Sequence, residues 1–519
     1  MRHETLVLKE MFLRAFARFG TRPAVRARDG ELSYAELFAQ ASALSSVLQA
    51  RGIGPGDHVV LLLRNSVEFV IADIALILAG AGKVPLNDML AADDVGYMIG
   101  HSGAKAVIAH TSFQPTLGAI PDALAGVGVK LSFSDSEDTP EGFGAARPLM
   151  SEHAGLMSDA VPASTDPGLI IYTGGTTGRP KGVYHTQASL CVNFMSHLIN
   201  AEIRPDERLL ICSPLPHSAQ QFVLSALLTG AYVVIEPGYD VDAVLDLIAG
   251  ERLTWMFMVP TMIYRLLDSP RLADVDHSSL RTIVYGASPI TAARLRQGLE
   301  VFGPIFLQIY GQTEIPNLVT TLSKTDHLVP EFQTSCGQPV IFCDVVIRDA
   351  DGNALPPGEA GEITVRSFYT LERYHDAPKV TAESYLGDYL RTGDLGYMDD
   401  TRHVYLVDRA KDMIISGGMN VYSTEVENAL QEHADVGQVV VIGVPDDDWG
   451  EAVTAFVIPD AAAQAPDPEA IRVFAKGRLA RYKVPKQVRL VEAIPLTPYG
   501  KPDKKALRAQ FWGEGRQIN

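Results

Sequence analysis

Between Tyr172 and Gly182 the chain reads Tyr-Thr-Gly-Gly-Thr-Thr-Gly-Arg-Pro-Lys-Gly, directly after the apolar Leu169-Ile170-Ile171. An apolar run, a glycine–threonine loop and then a lysine is the composition of a phosphate-gripping turn at the end of a strand. Gly174, Gly175 and Gly178 let backbone N–H groups approach an anion closely. The hydroxyls of Thr173, Thr176 and Thr177 add donors, and Lys181 adds a positive charge. A flexible surface loop with a chance lysine has a similar composition, so the loop alone does not decide the chemistry. It is not a Walker A loop, which requires Gly-Lys followed by Ser or Thr. Here Pro180 precedes Lys181 and Gly182 follows it. The second Gly-Lys, at Gly82-Lys83, continues into Val84-Pro85 and lacks the hydroxyl. An ordinary kinase or P-loop ATPase is disfavoured.

Six further segments carry residues whose types could do chemistry. Gln308-Ile309-Tyr310-Gly311-Gln312-Thr313-Glu314 follows an apolar run and ends on a hydroxyl and a carboxylate. Thr392-Gly393-Asp394 carries an acceptor-only carboxylate after a glycine. Asp408-Arg409-Ala410-Lys411-Asp412 is a charged cluster, followed by the glycine pair of Ser416-Gly417-Gly418. Pro495 to Lys501 ends in Gly500-Lys501, and Pro214-Leu215-Pro216-His217 carries a lone histidine. Taken singly, each has an ordinary structural explanation: a turn, a hairpin or a solvated lysine.

Together, and in this order, the segments resemble the signatures of the adenylate-forming superfamily, which includes acyl- and aryl-CoA synthetases and adenylation domains. The resemblance runs from about residue 30 to 508. One departure is Gly174, where the family most often has serine, which removes one donor to the departing pyrophosphate. The resemblance implies an ATP- and Mg2+-dependent acid–thiol ligase using coenzyme A. It implies that Tyr310 stacks on adenine beside Gly311, that Thr313 bonds the α-phosphate, and that Glu314 holds Mg2+. It implies that Asp394 and Arg409 contact ribose, that Lys411 is a hinge, and that Ser416, Gly417 and Gly418 line a pantetheine path. Lys501 is implied to bridge the attacking carboxylate and the α-phosphate, where a positive charge offsets the approach of two anions. Basic residues near the C-terminus (Lys476, Arg478, Arg481, Lys483, Lys486, Lys504, Lys505 and Arg508) are candidates for the CoA phosphates. Two rival readings stay open. One is an enzyme that loads a carrier-protein thiol, and the other is a non-catalytic nucleotide-binding protein.

By the same resemblance, the acyl pocket is walled by His217, Phe222, Tyr285, Gly286, Ala287 and Ile309, with Ser288 toward the nucleotide. No charged residue occurs among them. Burying an unpaired ammonium is costly, so a free α-amino acid is disfavoured. Ile309 stands where planar-substrate ligases commonly have glycine. A fatty, alicyclic or bulky aromatic acid is the expectation.

The elements that must position these residues follow from apolar patterning. Val59–Leu63, Ala106–Ile108, Arg208–Ile211, Tyr232–Ile235 and Ile283–Tyr285 are short apolar runs between helical stretches, which implies parallel sheets covered on both faces. Ser33, three residues before Glu36, reads as a capping box. Residues 134–167 read as a polar surface excursion. Residues 340–365, with turns at Asp351-Gly352 and Pro357-Gly358, read as antiparallel hairpins forming a small barrel-like subdomain. The expected fold is α/β. A large N-terminal domain of parallel-rich sheets (1–408) precedes a small mobile C-terminal α+β domain (409–519).

With 519 residues the chain exceeds one ordinary core. A net charge of −18 argues against a general nucleic-acid binder. Cys191, Cys212, Cys336 and Cys343 form no CxxC pair and read as buried thiols in a reducing, cytoplasmic setting. The acidic residues Glu4 and Glu10 interrupt the N-terminal apolar pattern, so no secretory signal is expected. The sequence leaves a homodimer open.

Overall fold

The computed structural model describes residues 6–511 except 135–138, 174–178, 289, 410–411, 417–418, 447–448, 461–462, 464–466 and 497–501, and only the backbone of 409 and 420. The described residues divide into two compact units. One comprises Met1–Asp344 with Arg366–Asp388, the other Val345–Val365 with Tyr389–Asn519.

The first unit is built on two large sheets. In one, the strands His58–Leu62, Gly82–Pro85, Ala106–His110 and Pro167–Thr173 run parallel. The strand Lys181–Thr186 then adds antiparallel to Pro167–Thr173. In the other, Arg208–Ile211, Tyr232–Ile235, Trp255–Met258, Thr282–Tyr285 and Phe306–Gln312 run parallel, and Ile315–Leu322 turns back antiparallel. These strands are buried along nearly their whole length, as expected when both faces are covered.

The helices follow local rules. Helix Tyr34–Ala50 begins with the capping box expected at Ser33 and Glu36, a feature worth about 1 kcal/mol. Helix Val67–Ala79 is buried on every side, as an all-round apolar helix should be. Its Asp73 is neutralised by Lys83, 2.6 Å away and equally buried.

Residues 134–167 depart from the surface reading. Gly144–Ala145 pairs with the edge of the first sheet, and helix Ala146–Glu152 buries Ala146 and Met150. The weak apolar content of this stretch hid a two-residue edge strand. All four cysteines are buried and free. Among the described residues no helix is long and apolar enough to cross a membrane.

The second unit contains antiparallel strands around Gly361–Ser367, Tyr389–Met398 and Val404–Arg409, including the turn at Asp349–Asn353. A second sheet, built on Val436–Asp446 and Gly450–Pro459, packs against helices Ser423–Gln431 and Pro468–Lys476. The packing division falls at Tyr389 and claims Val345–Val365, whereas the expected domain boundary was near 408. The reason is visible at Asp408. Its carboxylate accepts bonds from the backbone N–H and the hydroxyl of Ser423, tying the strand end to the following helix.

Candidate active site

The strands Phe306–Gln312 and Ile315–Leu322 leave Thr313 and Glu314 at the turn between them. The Glu314 carbonyl accepts a bond from the Leu371 N–H at 2.7 Å, and its Oε1 accepts one from the Tyr374 hydroxyl at 2.8 Å. Tyr374 lies on Arg373–Tyr374, which pairs antiparallel with Lys181–Thr186. The Lys181 Nζ sits 5.6 Å from the centroid of the Tyr374 ring, within cation–π range. The basic end of the first motif and the acidic end of the second therefore meet on one tyrosine. Burial, reinforced by the Glu314 carboxylate, raises the Tyr374 hydroxyl well above its ordinary pKa, so it stays a donor at neutral pH.

A second link runs through His185, on the same strand as Lys181. His185 is fully buried, and its Nε2 lies 2.9 Å from the Thr313 carbonyl. A carbonyl only accepts, so Nε2 carries the proton. Burial lowers the imidazole pKa to about 4, and the ring is neutral at pH 7. Lys181 itself is the register partner of Thr173, so the two ends of the glycine–threonine loop are fixed side by side.

Gly311 is required by close approach. A Cβ there would lie 2.4 Å from the carbonyl carbon of Asn317 and 2.6 Å from its oxygen. Asn317 has a left-handed φ of +64°, which asparagine tolerates. Its Nδ2 donates to the Ser218 carbonyl and lies near His197 Nε2, each at 3.1 Å. The segment carrying His217 and the segment carrying Tyr310 are thereby pinned together. His217 is half-buried, with non-helical φ −128° and ψ −145°, inside the tight helical turn Leu215–Ala219.

The expected acyl wall divides in two. Gly286 presses on the Ile309 carbonyl, where a Cβ would come within 2.6 Å. Ile309 and Tyr310 are buried, while Ala287 and Ser288 are exposed beyond the strand Thr282–Tyr285. Ala287 holds φ +69°, a conformation costing about 1–3 kcal/mol for a residue with a side chain. Phe222 is fully buried against the rings of His197, Trp255 and Phe257. Tyr285 is also fully buried; its hydroxyl lies 3.2 Å from Gln308 Oε1 and 2.9 Å from His327 Nε2. Both side chains sit in the core.

In the second unit, Asp394 and Arg409 are register partners across the Tyr389–Met398/Val404–Arg409 hairpin. Asp394 is buried, as is Ser416. Most of the candidate CoA-binding cations are engaged by acids of their own unit. Lys483 Nζ reaches both Glu425 oxygens at 2.6 and 2.7 Å. Arg478 pairs with Glu432, Lys504 with Glu427, Arg508 with Asp412 and Lys476 with Glu469. Lys486 lies 4.0 Å above the Trp449 ring. Acidic neighbours 7 to 96 residues away, invisible in the local charge pattern, account for this. Gly174, Gly175, Thr176, Thr177, Gly178, Lys411, Gly417, Gly418 and Lys501 lie outside the described residues.

Sequence patterning missed Tyr374, His185 and Asn317. Only strand pairing brings them to Glu314, Thr313 and Gly311, and no spacing rule carries that information. Among the described residues, no group of three or more His, Cys, Asp or Glu side chains could hold a metal ion. Glu314 presents a carboxylate at the turn between the two strands, a hard oxygen donor of the kind Mg2+ takes.

The AMP-binding enzyme family profile matches residues 12–375, and the AMP-binding enzyme C-terminal domain profile matches 425–501. The chain is 36% identical to the medium/long-chain-fatty-acid–CoA ligase FadD8 of Mycobacterium tuberculosis, over 97% of this chain and 90% of that one. It is 35% identical to a feruloyl-CoA synthase of Amycolatopsis sp, over 94% and 96%. Its structure is similar to that of the amide bond synthetase McbA from Marinactinospora thermotolerans, with a TM-score of 0.88 and 32% identity, covering 97% and 100% of the two chains.

Proposed function

Because the chain belongs to the AMP-binding, adenylate-forming enzyme family, we propose that it is an ATP-dependent acid–CoA ligase. A carboxylate oxygen of the acid attacks the α-phosphorus of ATP and the bond to pyrophosphate breaks, giving an acyl-AMP. The thiolate of coenzyme A then attacks the acyl carbonyl and AMP leaves. The observation that carries this reading is the convergence of Lys181 and Glu314 on Tyr374. A cation for the departing pyrophosphate, on the strand Lys181–Thr186, and a carboxylate for Mg2+, at the turn after Phe306–Gln312, meet on one side chain.

Each residue then has a task. Tyr310, beside Gly311, stacks on adenine, and Asp394 and Arg409 take the ribose hydroxyls. The Thr173–Gly178 loop and Lys181 hold the phosphates, with Ser288 on the nucleotide side. The Thr313 hydroxyl bonds the α-phosphate while His185 fixes its backbone. Glu314 would hold Mg2+, which neutralises phosphate charge, and the Tyr374 hydroxyl orients that carboxylate. Lys501 stands between the two anions as they react. Ser416, Gly417 and Gly418 admit the pantetheine arm, and His217 borders the acyl group with Gly286, Ala287 and Ile309. Lys411 is the hinge, so the functional boundary lies at 408–412 although the packing boundary lies at Tyr389.

The test is acid-dependent pyrophosphate release with Mg-ATP across fatty, alicyclic and aromatic acids, with and without CoA, and with products identified by mass spectrometry. An acyl-CoA product is expected. Lys501→Ala should abolish pyrophosphate release yet still form thioester from supplied acyl-AMP. The likeness to an amide bond synthetase favours a second reading, in which the acyl-AMP is passed to an acceptor other than CoA. Acyl-AMP that persists with CoA but is consumed by an amine or a carrier-protein thiol would establish it.

A further inference from the structure

Helix Gln220–Thr229 starts directly after the turn that holds His217. Its first two side chains are glutamines, each only 1% exposed. Neither amide nitrogen nor either amide oxygen has a hydrogen-bond partner among the described residues. Asn193 Oδ1 and Ser213 Oγ, also buried, are in the same position. Asn193 packs at this place too, its Nδ2 donating to Pro316 O beside Asn317, which in turn holds Ser218.

Buried amides are kept in folded proteins when something satisfies them, because a sealed, unpaired donor or acceptor is destabilising. Two consecutive glutamines with four buried, unpaired amide atoms are hard to reconcile with a purely structural helix start. They are also hard to reconcile with a plain hydrocarbon ligand, which would displace water and leave all four atoms unpaired. An ionised group is no better matched, since the segment Ser213–Phe222 contains no Asp, Glu, Lys or Arg to balance it. A neutral hydroxyl, which both donates and accepts, complements an amide.

We propose that Gln220 and Gln221 are specificity-determining residues that recognise a hydroxyl group on the acyl part of the substrate acid, so that the substrate is a hydroxylated acid and not a simple alkyl one. This rests on the acid-activating reading above and narrows it.

The experiment compares the wild type with Gln220→Met/Gln221→Met, in which methionine keeps length and volume without the amides. Two matched pairs of acids serve as probes: 3-(4-hydroxyphenyl)propanoate against 3-phenylpropanoate, and 12-hydroxydodecanoate against dodecanoate. In the wild type the hydroxylated member of the accepted pair should lead by about 100-fold or more in kcat/KM for pyrophosphate release, since a site built to bond a hydroxyl rejects the analogue without it. In the double variant that lead should fall below about 10-fold. The melting temperature of the free variant should equal or exceed the wild type's, because unpaired amides are being removed. A lower melting temperature of the free variant would show that the amides are satisfied within the fold and overturn the proposal. So would a wild-type preference for the unhydroxylated acid, or an unchanged preference in the variant. Failure of every acid to release pyrophosphate overturns the adenylation reading instead. In that case the acid-induced melting shift reads the same preference without turnover, and the free-variant comparison needs no acid at all.

Discussion

The Tyr374 hydroxyl donates to the Glu314 carboxylate at 2.8 Å while the Tyr374 ring faces the Lys181 ammonium at 5.6 Å. One side chain thus sets the position of an acid by hydrogen bonding and of a base by its π-face. Tyr374→Phe separates the two effects, because it removes the first and keeps the second. The variant should lose about 10-fold or more in pyrophosphate release and need a higher Mg2+ concentration for half-maximal rate. Its stability should fall by only about 1 kcal/mol, the net worth of one hydrogen bond. Rates measured across a Mg2+ titration, with urea unfolding alongside, check this. An unchanged Mg2+ requirement would assign Tyr374 to structure alone.

Gly311 offers a sharper steric test. The Cβ of Gly311→Ala would sit 2.4 Å from backbone carbon of Asn317, and backbone cannot swing aside as a flexible side chain can. The hairpin must open, at a cost of about 1–3 kcal/mol, and Asn317 must shift from Ser218. Reduced stability with a raised KM for both ATP and the acid is expected, because the two segments joined by Asn317 move together. Steady-state kinetics with each substrate varied in turn distinguish this from a local nucleotide effect.

The parallel core was legible because wholly apolar runs such as Arg208–Ile211 and Tyr232–Ile235 are strands in both the pattern and the structure. The capping box at Ser33 was legible for a similar reason: its partners are three residues apart. The family was legible because its motifs are local. What joins those motifs was not. Tyr374 lies 60 residues from Glu314 and His185 lies 128 from Thr313, and both contacts depend on which strands pair. The acidic partners of the C-terminal cations were not legible for the same reason. Lys483 looked available until helix Ser423–Gln431 placed Glu425 against it. Tyr285 looked like pocket wall because of its motif, yet its hydroxyl lies within bonding distance of Gln308 and His327 in the core.

Three buried imidazoles make a prediction about acid stability. Burial lowers the pKa of His185, His197 and His327 to about 4 in the folded protein. In the unfolded chain each takes up a proton near pH 6.5. Between those values the unfolded state binds more protons, so stability is full above pH 6.5 and is lost as pH falls toward 4. The loss is roughly 1 kcal/mol per group for each pH unit. Urea unfolding at pH 7 and pH 5 should differ by several kcal/mol. Replacing His327 with Gln should flatten the dependence by about one group's share. An unfolding free energy that does not change over this interval would contradict the neutral buried state.

The buried Asp73–Lys83 pair connects stability to the phosphate loop. Lys83 lies on the strand next to Pro167–Thr173, with Leu169 as its register partner, and its Nζ is 2.6 Å from Asp73 Oδ1. With both side chains at most 3% exposed, removing one leaves a charge with neither water nor a counter-ion. Lys83→Met alone should therefore cost about 3–5 kcal/mol, whereas Lys83→Met with Asp73→Leu should be close to neutral. The strand that launches the Thr173 loop leans directly on this pair. The single variant should accordingly lose pyrophosphate release as well as stability, and the double variant should recover both. Recovery of stability without recovery of activity would mean that the charges themselves, and not the packing they hold, shape the phosphate site.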